Sequence, residues 1–196
     1  MNFLIKINRR FKNQNLGETL LDIKSIILSG WYSLRLDGTF PFYVMGKIRI
    51  LKRYGTIQIG KHTRIYKGVK FSAYGDSQNQ KPRIIIGREC SIGDRTEIHA
   101  AKEVLIGNRV IMAWDCIIMD RDYHSVSSEV ESIKPVLIED GVWIGCRAII
   151  LKGIKIGRNA IIGAGSVVVN DIPKDAIAVG NPARIVGYRG QTSTEV

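Results

Sequence analysis

An aliphatic residue returns every six positions from Ile138 through Ile144, Ile150, Ile156 and Ile162 to Val168, and no other feature of the chain restricts its fold as strongly. Four positions after each stands Val142, Ala148, Ile154, Ala160, Ser166 or Ile172, and glycine follows the aliphatic residue at Gly145, Gly157 and Gly163. In a parallel β-helix each short strand turns one aliphatic side chain inward and the next coil stacks upon it, burying a continuous column; the period predicts that architecture. Glycine beside the aliphatic residue is expected to let the backbone turn each corner.

The same register runs upstream through Ile86, Ile92 and Ile98, then Ile106, Met112 and Ile118, with a fainter start at Ile59, Ile65 and Phe71. Three hexapeptides close one triangular coil in the left-handed form. The expectation is therefore all-β: a left-handed parallel β-helix of about five coils, at 59–76, 86–103, 106–123, 138–155 and 156–173. A two-residue slip between Ile98 and Ile106 reads as a small corner insertion. Cys90 and Cys116 fall on the small-residue position and are expected to be buried packing residues.

A chain of 196 residues has room for one core and a modest appendage. Residues 1–56 are expected to form a basic helical segment packed on that core, since Phe3, Leu4, Ile7 and Phe11 share one helical face and Leu20, Ile23, Ile27, Trp31 and Leu34 another. Residues 57–188 would hold the β-helix and a C-terminal cap that leaves the repeat through Pro173 and Pro182, as a short helix or an extended segment. Residues 189–196 would be a flexible tail.

The longest apolar runs are far too short to span a bilayer, and the N-terminus has no extended apolar region or small-residue cleavage site. The expected location is the cytoplasm. Cys90, Cys116 and Cys146 form neither a CxxC pair nor an even set, which argues against a disulfide framework and a cysteine-based zinc site. The formal charge of +11 is concentrated early: residues 1–56 hold ten Lys/Arg against three Asp/Glu, or +7. An anionic partner is expected, whether a phosphate, an acidic glycan or a membrane surface, and the inner face of the cell membrane is one such surface. Nucleic acid is not, because no recognised module is present and aromatic residues do not interleave with basic ones.

Two polar segments break the period: YGDSQNQKP after the first coil, and MDRDYHSVSSEVESIKPV, residues 119–136, after the third. Both are expected to project as loops.

Three motifs, IGNRVIMAWDCIIMDRDYHS, PVLIEDGVWIGCRAIILKGIKIGRNAIIGAGSVVVNDIP and AVGNPARIV, stand in an order and spacing that resemble the hexapeptide-repeat acyltransferases over about residues 56–188. These are left-handed β-helix enzymes that move acetyl groups from acetyl-CoA to sugars, amines and antibiotics. Lacking the large helical domain of serine acetyltransferases and the nucleotide-binding domain of bifunctional sugar-nucleotide enzymes, the chain is similar to the small acetyltransferases associated with capsule, O-antigen and other surface polysaccharides. The resemblance implies acetyl-CoA as acyl donor, a sugar hydroxyl as acceptor, no metal, and a homotrimer with clefts between parallel β-helices.

It also implies that the second loop carries the catalytic histidine, His124. An alcohol is a poor nucleophile at neutral pH, and imidazole titrates in the range useful to a base that takes its proton. Asp122 and Asp120 alternate with His124, so in an extended segment all three point to one side; either acid would hold the imidazole tautomer or bind acceptor hydroxyls. His99 and Asp115 are expected near the acceptor. For the cofactor, the resemblance points to Trp143 and Cys146, to Gly163, Ala164 and Gly165 for close backbone approach, and to Arg184 at the CoA phosphates. Where relatives carry Lys this chain has Asn170, and Lys152 or Lys174 would take over phosphate neutralisation. Trp143 would alternatively meet a neighbouring subunit, and the glycines would alternatively serve corner geometry. Three rivals are an N-acetyltransferase acting on an amine, a zinc hydratase on the same repeat, and a non-catalytic scaffold. The hydratase needs closely spaced histidines that His62, His99 and His124 do not provide.

Overall fold

Six-residue spacing forces successive strands onto successive faces of a triangle, and three parallel sheets result. The computed structural model describes residues 16–37, 41–124 and 132–190. The first face stacks Tyr43–Val44, Arg64–Ile65, Ser91–Ile92, Ile111–Met112, Trp143–Ile144, Ile161–Ile162 and Ala176–Val179. The second stacks Arg49–Arg53, Lys70–Tyr74, Glu97–Ala100, Ile117–Met119, Ile149–Ile150 and Val167–Val168. The third stacks Thr56–Ile59, Arg83–Ile86, Glu103–Ile106, Val136–Ile138 and Lys155–Ile156, continued by a bridge from Ile156 to Ile172. The fold is a left-handed parallel β-helix.

Register places each inward aliphatic directly on the next, as in Ile98, Ile118, Ile150 and Val168 on the second face. These side chains are fully buried, as are Ile65, Ile92, Met112, Ile144 and Ile162 of the first column. A buried isoleucine contributes about 1.5–3 kcal/mol, so the columns are the principal source of stability. Cys90 and Cys116 are buried where the small-residue position put them.

The β-helix begins one coil earlier than the period suggests. Arg49–Arg53 pairs residue for residue with Lys70–Tyr74, so residues 43–59 are a complete coil and the boundary expected at residue 57 falls inside it. The described residues form six coils. The first escapes the pattern because no aliphatic-Gly pair marks its first two faces; Val44 precedes Met45, and Ile50 precedes Leu51. Helix α1 (Leu16–Ser33) covers its open end: Val44 N–H donates to Ser29 Oγ at 2.9 Å, Ile48 N–H donates to Tyr32 Oη at 3.2 Å, and Leu36 is buried beside them. The other end is closed by an extended cap in which Arg184–Tyr188 turns back antiparallel on Ala176–Val179. The helical face expected from Phe3 to Phe11, and residues 191–196 of the tail, lie outside the described residues; Arg189 is tied down by its N–H to Asp175 O at 2.7 Å.

Glycine does a different job from the one expected. The glycines after the aliphatic residue do not have positive φ; they stand where stacked coils touch. A Cβ on Gly145 would sit 2.6 Å from Ala164 N, and one on Gly157 2.4 Å from Lys174 N. The left-handed conformation falls two residues later in each hexapeptide, at Gly68, Arg95, Asp115, Arg147 and Gly165 on the corner between the first and second faces. His62, Glu89, Arg109, Gly141, Asn159 and Asp175 repeat it between the third and first faces. A left-handed non-glycine residue costs about 1–2 kcal/mol. Inter-coil bonds offset it, such as Arg95 N–H to Lys67 O at 2.9 Å and Asp115 N–H to Asp94 O at 2.8 Å.

Two glycine substitutions separate the two requirements. Gly145→Ala is expected to lower stability by about 2–3 kcal/mol through overpacking against the next coil. Gly165→Ala meets no atom within 4 Å and has only its φ of 69° to overcome, at about 1 kcal/mol. Urea denaturation of the two variants checks the order; equal losses would contradict it.

Candidate active site

Every insertion in the coils opens at one corner, between the second and third faces: residues 75–82, the short slip at 101–102, and residues 120–135. How the chain leaves the fourth coil there decides where the histidine goes. Asp120 follows strand Ile117–Met119 and turns inward, fully buried. Its carboxylate accepts three backbone N–H bonds from the third coil, from Ala101 at 2.8 Å and from Lys102 and Glu103 at 2.7 Å each. Charge-assisted bonds of this kind are the strong ones, and here three converge on one buried side chain. A bridge between Arg121 and Ile133 and a bond from Lys134 N–H to Asp120 O close the neck of the loop.

Above the neck, each residue is held by a different coil. Arg121 lies 5.0 Å over the Tyr123 ring and 3.8 Å from Asp76 of the other insertion. Asp122 pairs with Lys152 of the fifth coil. Tyr123 adopts a φ of 67° and hydrogen-bonds through its hydroxyl to His99 Nδ1, its ring edge-on to the imidazole at 5.6 Å. His99 is buried on the second face, and its Nε2 lies 2.9 Å from Glu97 Oε2. Glu97 in turn receives Lys70 Nζ at 3.0 Å and lies 3.7 Å from Arg49. A carboxylate only accepts, so Nε2 carries the ring proton and Nδ1 accepts the Tyr123 hydroxyl. His124 comes next in the chain, exposed to solvent.

The electrostatics follow from this packing. Burial pushes His99 below the ordinary imidazole range; the bond to Glu97 pulls it back only in part, and the Lys70 charge opposes protonation. Burial pushes Glu97 up, but hydrogen bonds from Lys70 and His99, with their charges, hold it below the usual carboxylate range. Arg95, bidentate on Asp115 at 2.7 and 2.8 Å, holds that carboxyl low. Cys116 is pushed up to about 11 by burial and is inert as a nucleophile.

The expected trio is therefore not a trio. Asp120 is committed to the third coil and Asp122 to Lys152, so neither orients the His124 ring among the described residues; the neck, rather than an extended strand, sets their directions. Lys152 is correspondingly engaged with Asp122 at the loop, on a different corner from the other residues expected to meet the cofactor. Those remaining residues share one edge. Trp143 is half exposed on the first face beside Ile111; Cys146 occupies the next corner, between Trp114 of the coil before and Ala164 of the coil after. Gly163 is a stacking glycine against Val179, whereas Gly165 faces open space. Arg184 is exposed on the cap strand, with its guanidinium on Ala183 O at 3.0 Å. Asp115 lines a groove of about 660 Å³ together with Glu97, and His99 lies behind Glu97.

Three residues escaped the sequence reading. Tyr123 was signalled only by its place beside His124, and Glu97 by none of the loop motifs, since it reaches the site through the coil register Lys70, Glu97, Ile117. Trp114 had a signal: it is a large aromatic at a corner position that holds Asp94, Cys146 and Ala164 in neighbouring coils. Among the described residues, no three His, Cys, Asp or Glu side chains converge as metal ligands.

This geometry now meets known proteins. The family described as bacterial transferase hexapeptide, six repeats, matches residues 135–170. The repeat and the stacked coils extend that likeness to hexapeptide-repeat proteins beyond the matched residues. It is similar to the galactoside O-acetyltransferase of Lactococcus lactis, at 36% identity over 88 residues and 42% of each chain. It is also similar to the 2,3,4,5-tetrahydropyridine-2,6-dicarboxylate N-acetyltransferase of Staphylococcus aureus, at 45% identity over 58 residues, covering 30% of this chain and 24% of that one. The chain spans about half the length of the curated relatives it matches. Among solved structures, a mutant of AntD, an N-acyltransferase from Bacillus cereus in complex with dTDP-4-amino-4,6-dideoxyglucose and Coenzyme A, aligns with a TM-score of 0.69. That alignment covers 84% of this chain and 90% of that one at 18% identity, a likeness of fold.

Two measurements test the neck and the network. Asp120→Asn places an amide N–H₂ against three donors and is expected to cost about 3 kcal/mol in urea denaturation. For His99, the folded state favours the neutral ring, so its stabilisation is complete above the unfolded pKa of about 6.5 and declines as pH falls below it. Glu97→Gln removes a group that raises the His99 pKa, so NMR titration should find the ring titrating lower still. A rise would refute the assignment.

Proposed function

We propose that the chain is an acyltransferase that moves an acetyl group from acetyl-CoA to a sugar hydroxyl, with His124 as general base. The observation that carries this reading is the exposed imidazole on a loop whose root is held by Asp120 and by the pair Tyr123–His99. His124 takes the acceptor proton as the hydroxyl oxygen bonds to the thioester carbonyl carbon. The tetrahedral adduct then expels the CoA thiolate, which receives the proton from the imidazolium. No acyl-enzyme is needed, and the exposed thioester carbonyl oxygen draws on backbone N–H donors for its developing charge.

The donor fits the edge formed by Trp143, Cys146, Ala164 and Gly165, where half-exposed Trp143 and the open space at Gly165 leave room for a long, narrow ligand. Arg184 suits its phosphates by charge and by the planar fork of the guanidinium. The fifth-coil lysine, Lys152, acts instead by holding Asp122 beside the base. Resemblance favours surface polysaccharide as the acceptor's source and a homotrimer whose clefts hold the donor; exposed Ile111, Trp114 and Trp143 support a surface that a ligand or a neighbouring copy covers. Helix α1 and the turn after it also leave Ile23, Ile27, Trp31 and Leu34 exposed, which supports a contact with another copy or with the inner face of a membrane; no helix among the described residues is long and apolar enough to cross one. An amine acceptor is the second reading, favoured by the N-acetyltransferase among the relatives.

Thiol release from acetyl-CoA with a panel of hexoses and amino sugars tests the reaction. His124→Ala is expected to lower kcat by about 10²–10⁴-fold while CoA still raises the thermal midpoint. Undiminished turnover would remove the base, and CoA that neither binds nor stabilises the protein would favour the scaffold reading.

A further inference from the structure

The first three coils carry charge that the site above does not use. Lys47 and Lys67 stand at the corner between the first and second faces of consecutive coils, and Gly46 lets the Lys67 stem lie close, since a Cβ there would come within 3.0 Å of Lys67 Cβ. Both lysines line the groove of about 660 Å³ that also holds Arg49, Arg95, Glu97 and Asp115. Arg95 is consumed by Asp115, and Glu97 is shared by Lys70, His99 and Arg49. Lys47 and Lys67 have no ion pair among the described residues. Two unmatched ammonium groups at one groove attract an anion.

The same two lysines line a second cavity, of about 450 Å³, between α1 and the first coil, whose walls are Leu28, Tyr32, Val44 and Met45 with Lys24 at its edge. The cations thus stand at the junction of a polar groove and a largely apolar pocket. The groove's far wall is Glu97, whose Oε2 accepts the His99 Nε2 proton, and His99 holds the Tyr123 hydroxyl one residue before His124.

We propose that this trough binds the acceptor as a glycosyl phosphate, a proposal that rests on the acyltransferase reading for the role of the bound sugar. The phosphate lies between Lys47 and Lys67, the sugar extends along the groove toward Glu97 and Asp115, whose carboxylates accept hydroxyl protons, and the group esterified to the phosphate enters the pocket beside α1. Two sources share this chemistry, a nucleoside diphosphate sugar and a polyprenyl diphosphate sugar, and both put an apolar or aromatic group beyond the phosphate.

The test measures binding without acetyl-CoA, by calorimetry with inorganic pyrophosphate, a nucleoside diphosphate hexose, a farnesyl diphosphate hexose and free hexose. Pyrophosphate and both diphosphate sugars are expected to bind more tightly than free hexose, with affinity falling as salt rises. Lys47→Gln or Lys67→Gln should each weaken diphosphate binding about tenfold, and the pair about a hundredfold. Lys61→Gln, at the corner between the third and first faces, should leave it unchanged. The tighter of the two sugars identifies the source. Equal binding by wild type and the double variant, or loss of CoA binding in the double variant, would overturn the site. Acetyl transfer to free hexose that depends on His124, without lysine-dependent diphosphate binding, would overturn the site and leave the reaction standing. Lysine-dependent binding with no transfer to any acceptor would uphold the site and overturn the reaction.

Discussion

Contact between stacked coils is the constraint on which the rest depends. Parallel strands stack about 4.8 Å apart, so at each corner the backbone of one coil presses on the next, and a residue with no Cβ is required wherever the approach is closest. Gly60, Gly87, Gly93, Gly107, Gly145, Gly157 and Gly163 occupy such points. Once spacing is set there, the inward aliphatics of successive coils meet, and the columns close without gaps. Outward positions are then free to carry chemistry, because their direction is imposed by neighbours above and below rather than by their own sequence.

Glu97, His99 and Asp120 show what that freedom permits. The second face aligns Lys70 with Glu97 and Ser72 with His99, so an acid, a base and an ammonium group arrive within hydrogen-bond reach although no motif joins them. Asp120 does the complementary work at the corner. An insertion in the fourth coil removes the strand that would have satisfied residues 101–103, and the aspartate at its root supplies the missing acceptors. The loop and the slip below it are one construction, not two irregularities.

The period made five of the six coils legible, together with both loop positions and the burial of Cys90 and Cys116, because each of these follows from a one-dimensional register. The first coil was not legible: its faces carry Lys47, Arg49, Lys52 and Arg53 at outward positions and lack the aliphatic-Gly pairs on two sides, so composition there resembles a basic appendage. The reason for the glycines was misread for a physical cause. Sequence shows where glycine stands but not what lies across the inter-coil gap, and the left-handed corner residues proved to be Arg, Asp, Asn, Glu and His more often than glycine. Alternation along the loop likewise placed Asp120, Asp122 and His124 on one side, whereas partners on three different coils pull the residues around them in different directions.

Tyr123 draws these strands together. A bulky residue at a φ of 67° is an outlier that the surroundings must enforce, and here they do so from two sides, through His99 beneath the hydroxyl and Arg121 against the ring. The turn this produces separates two adjacent side chains: Tyr123 reaches down onto the second face, and His124 is left exposed above it. In the proposed reaction, such a turn would limit the orientations in which the imidazole meets an acceptor. The low proton affinity of the buried His99 keeps its Nδ1 available as the acceptor that holds Tyr123 in place.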